Sequence, residues 1–306
     1  MPLAYETMGA FYNRSVVSNA VPLTWDELKK YISENITEDT VPVGLGLGNR
    51  YVTQAANIAS LFLIQGGINA FSNMADTQAE KALSEYLSYS GNDAGSDNAN
   101  HLIKLKDAMD RQGISSTDMF VRGKIGVIFG YPSLLREIEY SLKRASSDAV
   151  LEKKDLRSSE IPQTGVGKKL NLARYTYFAL SKYAPNPAAA TDFLVHLSSK
   201  ESAQAYLEAF PHYLPARNDL VEERKDKTMN KNFPWVRYDS FIPAGDVSLV
   251  NFDRGLTSEF EAYFGNALDR SNPNAKAILS DTVKEMDCQK KHLIGQSGYD
   301  EACSGS

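Results

Sequence analysis

The chain has 306 residues, 42% of them hydrophobic, and a formal net charge of −5. That apolar content excludes wholesale disorder, and the length suggests two domains or one large one. The acidic balance argues against a nucleic-acid-binding face, and no run approaches the roughly 18–20 consecutive apolar residues of a membrane span.

Residues 2–13 (PLAYETMGAFYN) read as a buried strand interrupted by one carboxylate, Glu6. Domains ordinarily begin with polar, poorly ordered residues, so this start is unusual. No basic start or sustained apolar stretch follows Met1, so no leader peptide is read there. Thr24 then caps a helix, with Glu27 three residues on completing a capping box and Leu28, Tyr31 and Ile32 at helical spacing. Residues 41–48 read as a short strand entering a glycine loop, and Asn49 as the start of a helix through Gln65 that Gly66 and Gly67 stop. A helix over 77–89, a polar loop over 90–100 and a helix over 101–111 follow. Residues 116–145 form a helical turn, a bend at Gly123, a buried strand over 125–129 and a helix. Residues 146–169 hold at most one short strand, and 171–181 (NLARYTYFALS) are strongly β. Helices are then expected over 188–197, 200–210, 218–231, 246–266, with Phe252, Leu256, Phe260 and Phe264 on one stripe, and 274–286. Short strands apolar on both faces alternating with helices indicate an α/β class with covered sheets.

Signals for catalysis are absent. Gly44, Gly46 and Gly48 do not complete a dinucleotide fingerprint, because its last glycine position is Asn49. There is no phosphate-binding loop, no G-x-S-x-G elbow, and the four histidines are scattered. No enzyme activity and no cofactor are therefore expected. Cys288 and Cys303 are too few for a zinc site. They are either free thiols or one disulfide closing a loop of about 16 residues, worth roughly 3 kcal/mol and requiring an oxidising compartment.

Four pieces in order carry a resemblance. The first is the opening strand ending Phe11-Tyr12-Asn13-Arg14, followed by Thr24-Trp25-Asp26-Glu27-Leu28. The second runs from Asp118-Met119-Phe120 through Gly123-Lys124-Ile125-Gly126 to Phe129-Gly130-Tyr131-Pro132. The third is Tyr175-x-Tyr177-Phe178-Ala179-Leu180-Ser181 with Pro187 and Ala190-Thr191-Asp192-Phe193-Leu194. The fourth is Ser202-Ala203-Gln204-x-Tyr206, then Phe210-Pro211 and Leu214-Pro215-Ala216-Arg217. In this order the chain resembles, over roughly 2–269, the extracellular solute-binding proteins of ABC transporters, in the maltose-binding-protein-like branch.

The resemblance implies a periplasmic-binding-protein-like (class II) two-lobe α/β fold, closing on a ligand between the lobes. By the same likeness the chain is N-terminally truncated at the hinge. Residues 1–12 match a hinge-crossing strand, 7–174 and 243–287 the second lobe, 175–242 the returning part of the first lobe, and 288–306 a tail. The expected function is a solute-binding, by family default carbohydrate-binding, receptor component of an ABC importer, with binding weakened by the missing wall. The implied partners are a sugar or oligosaccharide and the permease subunits. For the full-length family member the implied location is extracytoplasmic, at the periplasm or cell surface, with membrane attachment only through the transporter or a lipid anchor on the missing part. A protein-interaction or structural fragment with no solute is the competing expectation. The implied ligand-binding residues are Glu6 on the hinge strand, Asn49 and Arg50 at a helix start, Tyr131 as a stacking aromatic, Arg174 and Tyr175 on the second crossing strand, and Phe252. Trp25 is assigned to the core. Truncation should also uncover sheet edges and apolar surface beside 175–181.

Overall fold

The apolar opening segment forms two strands rather than one. In the computed structural model, Pro2–Thr7 (β1) and Gly9–Asn13 (β2) lie in different sheets, and Met8 is the step between them. The structure describes residues 2–18, 20–35, 37, 40–69, 71–90, 106–164, 169–242, 246–248, 257–271 and 273–293.

Thr24 caps α1 (Trp25–Asn35): its hydroxyl accepts from the Glu27 amide at 3.3 Å and donates to the Glu27 carboxylate at 2.8 Å. The strand β3 (Val41–Val43) and the buried helix α2 (Ala55–Gln65) follow, then α3 (Thr77–Ser88). The unit read over 116–145 resolves into α4 (Ser116–Val121), β4 (Ile125–Gly130) and α5 (Leu134–Ala145). The strand β5 (Leu156–Glu160) leads to β6 (Leu170–Tyr177). Two helices, α6 (Pro187–Leu197) and α7 (Lys200–Ala209), precede the short β7 (Leu214–Pro215) and α8 (Asn218–Arg224). The helix expected over 218–231 stops at Arg224. Beyond it, β8 (Thr228–Asn230) and β9 (Phe233–Arg237) make a hairpin, because Met229, Phe233 and Val236 all have core to fill. The helix expected over 246–266 also divides. Asp246–Ser248 is a strand, β10, parallel to β6, and Thr257–Ala267 is a helix, α9. The last helix, α10 (Ala275–Leu293), is longer than its periodicity indicated. Among the described residues no helix is long and apolar enough to cross a membrane.

One sheet has the order β10-β6-β1-β7 and the other β3-β4-β2-β5. The chain crosses between them at Met8 and returns between β5 and β6. Trp25 sits in the core as expected, 3% exposed, with its ring 4.3 Å from that of Phe62 and 5.7 Å from that of Phe129. Phe233, Val236, Tyr238 and Phe241 join the core of Phe11, Ile128 and Leu156, on the second sheet. Cys288 is buried on α10 and disulfide-bonded, while Cys303 lies outside the described residues.

At the first crossing the strand ladder breaks, and the backbone of Met8 needs other partners. The buried side chain of Asn171 supplies both. Its oxygen accepts from the Met8 amide at 3.1 Å, and its nitrogen donates to the Met8 carbonyl at 2.8 Å. Thr7 donates its hydroxyl to the Phe241 carbonyl beside it. Replacing Asn171 with Ala leaves two buried backbone groups unpaired, at about 1–3 kcal/mol each. Urea unfolding of Asn171→Ala should show a loss on the order of 2–6 kcal/mol. A loss below about 1 kcal/mol would mean that water takes over the carboxamide's role.

Candidate functional site

The register of the two crossing strands builds the site. β1 and β6 are antiparallel, with Glu6 opposite Arg174 and Tyr5 opposite Tyr175. Successive strand residues alternate faces, so the charged pair lies on one face and the two tyrosines on the other. The tyrosines stack with centroids 5.5 Å apart and an interplanar angle of 21°. Burial, reinforced by Tyr175, pushes the Tyr5 phenol up to about 12.

On the charged face, Glu6 is 5% exposed and accepts from the Ser133 amide at 2.7 Å. Burial raises its carboxyl above the usual range, outweighing the Ser133 bond and the Arg174 charge that lower it. Arg174 forms an ion pair with Glu261 of α9, and its guanidinium lies 4.3 Å from the centroid of the Tyr131 ring. Asn57, a carboxamide near the start of the apolar α2, joins the pair. It accepts from Arg174 Nη2 at 2.9 Å and donates to Glu261 Oε1 at 3.2 Å. Tyr131 is fully buried just after β4, and its amide donates to Gln54 Oε1 at 3.0 Å. Gln54 is the residue before α2, with φ of 60°, the only non-glycine positive φ among the described residues. The Tyr131 hydroxyl is buried with no hydrogen-bond partner of normal geometry among the described residues. Burial drives that phenol's pKa well above its ordinary value.

The other sheet edge brings an aromatic group toward the same place. Tyr206 of α7 bonds Thr176 on β6, and burial, the neighbouring Tyr213 and the Glu6 charge raise its phenol. His212 packs on Tyr213 at 4.6 Å, and burial and the Arg136 charge push its imidazole down. Ser133, Arg136 and Glu137 line a groove of about 690 Å³ together with Tyr140 and Arg144.

The residues implied by the resemblance are therefore distributed unequally. Glu6, Tyr131 and Arg174 meet in one cluster. The Tyr131 ring, expected to stack on a ligand, is covered, and the guanidinium occupies its face. Tyr175 is 40% exposed on the opposite face of the sheet. Asn49 and Arg50 do not start a helix: α2 begins at Ala55, and residues 46–54 form a loop. The amides of Gly48 and Arg50 donate to the two oxygens of Asp269, at 2.9 and 3.0 Å, so a protein carboxylate holds the donors assigned to a ligand. The Asn49 side chain bonds the Glu261 carbonyl and the Ala56 amide, and Arg50 pairs with Asp110 at 2.8 Å. This loop lies so close to α9 that a Cβ on Gly265 would fall 1.9 Å from Asn49 Nδ2. Phe252 lies outside the described residues. Sequence reasoning missed Glu261, Asn57, Ser133 and Gln54. The one local signal was Asn57, an amide among apolar residues on a helix otherwise built for burial.

A family model described as bacterial extracellular solute-binding protein matches residues 1–234. No curated protein sequence matches the chain. Among solved structures, a cyclo/maltodextrin-binding protein complexed with maltotetraose is similar, with 18% identity, a TM-score of 0.64, and coverage of 96% of this chain and 71% of the other. An ABC substrate-binding protein from Listeria monocytogenes in complex with cycloalternan has 14% identity and a TM-score of 0.59, covering 97% and 72%. The maltose-binding MalE of Listeria monocytogenes in complex with maltose has 14% identity and a TM-score of 0.58, covering 95% and 72%. These likenesses place the chain in the fold of two-lobe binding proteins.

The raised Glu6 carboxyl has a consequence for stability. A group whose pKa is higher folded than unfolded stabilises the protein below its unfolded value, and that contribution is lost as pH rises through the folded value. Glu6→Gln keeps the acceptor for Ser133 and removes the titration. Thermal melts between pH 4 and 7 should show the variant gaining on the wild type as pH rises from below the ordinary 4.5. Parallel curves for the two proteins would contradict the raised carboxyl.

Proposed function

The chain belongs to the bacterial extracellular solute-binding protein family, and on that premise we propose that it is the carbohydrate-recognising receptor component of an ABC importer. The observation that carries the reading is the Glu6, Arg174, Glu261 and Tyr131 cluster at the crossing between the sheets, where the buried Tyr131 hydroxyl has only the Arg174 guanidinium beside it and no hydrogen bond of normal geometry. Unpaired buried donors are costly, and a polar ligand group can satisfy them. Arg174 is already committed to Glu261 and Asn57, so it holds little charge in reserve for an anionic solute. A neutral polyol suits such a site, because carboxylates and amides take hydroxyl hydrogen bonds and aromatic surface takes sugar C–H faces. The similar solved proteins carry maltotetraose, cycloalternan and maltose, which supports the same class of solute.

Glu6 is assigned to a solute hydroxyl, Arg174 to the adjacent oxygen, and Tyr131 to holding the guanidinium in place. Tyr206 and Tyr213 present the facing aromatic surface. Access to Tyr131 and Glu6 requires the two sheets to part about the Met8 crossing, and a solute touching both sides then favours closure. The importer's membrane subunits are the implied partners. The extracytoplasmic setting suits the disulfide at Cys288, since such bonds persist in oxidising compartments. The chain spans 71% of the similar cyclo/maltodextrin-binding protein, and these residues by themselves should bind weakly, because a good pocket buries about 70–90% of its ligand.

Calorimetric titration with maltotetraose should give a Kd on the order of 1 mM, about −4 kcal/mol. Arg174→Met should abolish it, and glucose 6-phosphate or a dipeptide should bind no better. Sub-micromolar maltotetraose binding would contradict the weak binding expected of these residues alone. Tighter binding of the anionic solute would contradict the neutral-sugar reading.

A further inference from the structure

The residue that enters α2 departs from the way other helices of this fold begin. Ser115 before α4 and Ser199 before α7 have extended backbone, with φ of −86° and −62°, and each caps its helix with its own hydroxyl. That is the ordinary helix start. Gln54 instead holds φ of 60° and ψ of 30°, a left-handed conformation, and its side chain caps nothing. A residue with a Cβ is disfavoured there, whereas glycine adopts it freely. The helix itself does not ask for this conformation. A residue held in it persists only where its surroundings fix it, and such residues cluster at functional sites.

The surroundings of Gln54 do fix it. Its neighbour Thr53 is tied to α4: the Thr53 amide donates to Ser116 Oγ at 3.0 Å, and its hydroxyl lies 2.8 Å from Ser116 Oγ and 3.1 Å from Thr117 Oγ1. On the other side, the Gln54 carbonyl accepts from the amides of Asn57 and Ile58, both at 3.0 Å. Between these anchors the side chain reaches the end of β4, where Oε1 accepts from the Tyr131 amide at 3.0 Å. The strand ends on Gly130, and a Cβ on that residue would lie 3.1 Å from Gln54 Oε1. The glycine leaves room for the carboxamide.

Both groups held by Gln54 serve the Arg174 guanidinium. Asn57 accepts from Arg174 Nη2 at 2.9 Å, and the Tyr131 ring centroid is 4.3 Å from the guanidinium carbon. One residue therefore sets the two surfaces between which the guanidinium sits. We infer that Gln54 is a positioning residue for Arg174: its left-handed backbone lets its carbonyl fix Asn57 and its side chain fix Tyr131 at once. In this role it acts through those two residues and not through the solute.

The inference rests on the site of the proposed function but not on the identity of its solute, so the first readout is taken without sugar. Gln54→Gly keeps the left-handed turn and the carbonyl and removes the carboxamide. In the sugar-free chain, the fluorine signal of fluorotyrosine at position 131 and the Nε–H signal of Arg174 should both move from their wild-type positions. The melting temperature should stay within about 3 °C of the wild type, because relief of the backbone offsets the lost bond. Gln54→Glu keeps the acceptor and should hold both signals near their wild-type positions. Gln54→Ala loses the carboxamide without that relief and should melt below Gln54→Gly. With maltotetraose, Gln54→Gly should weaken binding roughly fivefold, and Gln54→Glu should not. The inference is overturned if the two signals of Gln54→Gly coincide with those of the wild type, or if Gln54→Glu moves them as far. It is also overturned if Gln54→Ala melts no lower than Gln54→Gly, if Gln54→Gly simply loses its fold, or if Gln54→Gly binds the sugar as well as the wild type. A wild type that binds no maltotetraose contradicts the solute proposed above and leaves the sugar-free signals to decide the role of Gln54.

Discussion

The carboxamide of Asn171 closed around the backbone of Met8 is the constraint on which the rest of the structure depends. A chain that leaves one sheet for another must break its ladder of hydrogen bonds, and a buried break carries two unpaired groups. One side chain with a donor and an acceptor satisfies both, and it comes from the strand that makes the return crossing. The two crossings are thereby tied to each other at the level of single hydrogen bonds. The Glu6–Arg174 register then follows two residues from Met8 on one strand and three from Asn171 on the other.

That register explains why the charges sit where they do. Arg174 is drawn from the returning strand, Glu6 from the outgoing one, Glu261 from α9 and Asn57 from α2, so four distant segments share one electrostatic unit. Arg174 and Glu261 are only partly buried, so water screens their pair, while Glu6 beside them is buried and relies on the Arg174 charge. Tyr131 lends its ring to the guanidinium, and its buried hydroxyl has no hydrogen bond of normal geometry among the described residues. The loop at 46–54 makes the contrast. There Asp269 already fills the ring of amides, and the local chemistry is closed on itself.

Much of the fold was legible in the sequence because its signals are local. Thr24 and Glu27 cap α1, the glycines stop α2, and the burial of Leu28, Tyr31 and Ile32 follows their spacing. Other features depend on partners far along the chain. The opening segment is apolar on both faces whether it is one strand or two, and only Asn171, 163 residues away, determines where it divides. Asp246–Ser248 becomes a strand because β6 offers it an edge, not because of its own pattern. The start of α2 at Ala55 rather than Asn49 reflects the pull of Asp269 and Glu261 on the intervening loop. At the site, Glu6, Tyr131 and Arg174 were found through a resemblance and meet in space. Glu261 sits beside the Phe260 and Phe264 stripe, where a solvent-facing carboxylate is the ordinary reading.

The central claim is that a neutral sugar is recognised at the crossing, between the Glu6–Arg174 face and the Tyr206 side. Fluorine NMR of the chain carrying fluorotyrosine, titrated with maltotetraose, tests it most directly. The account predicts saturable shifts of the Tyr131 and Tyr206 signals, while the signal of the exposed Tyr183 stays in place. Shifts confined to Tyr183, or no shift of any tyrosine at sugar concentrations well above 10 mM, about ten times the expected ~1 mM Kd, would contradict it.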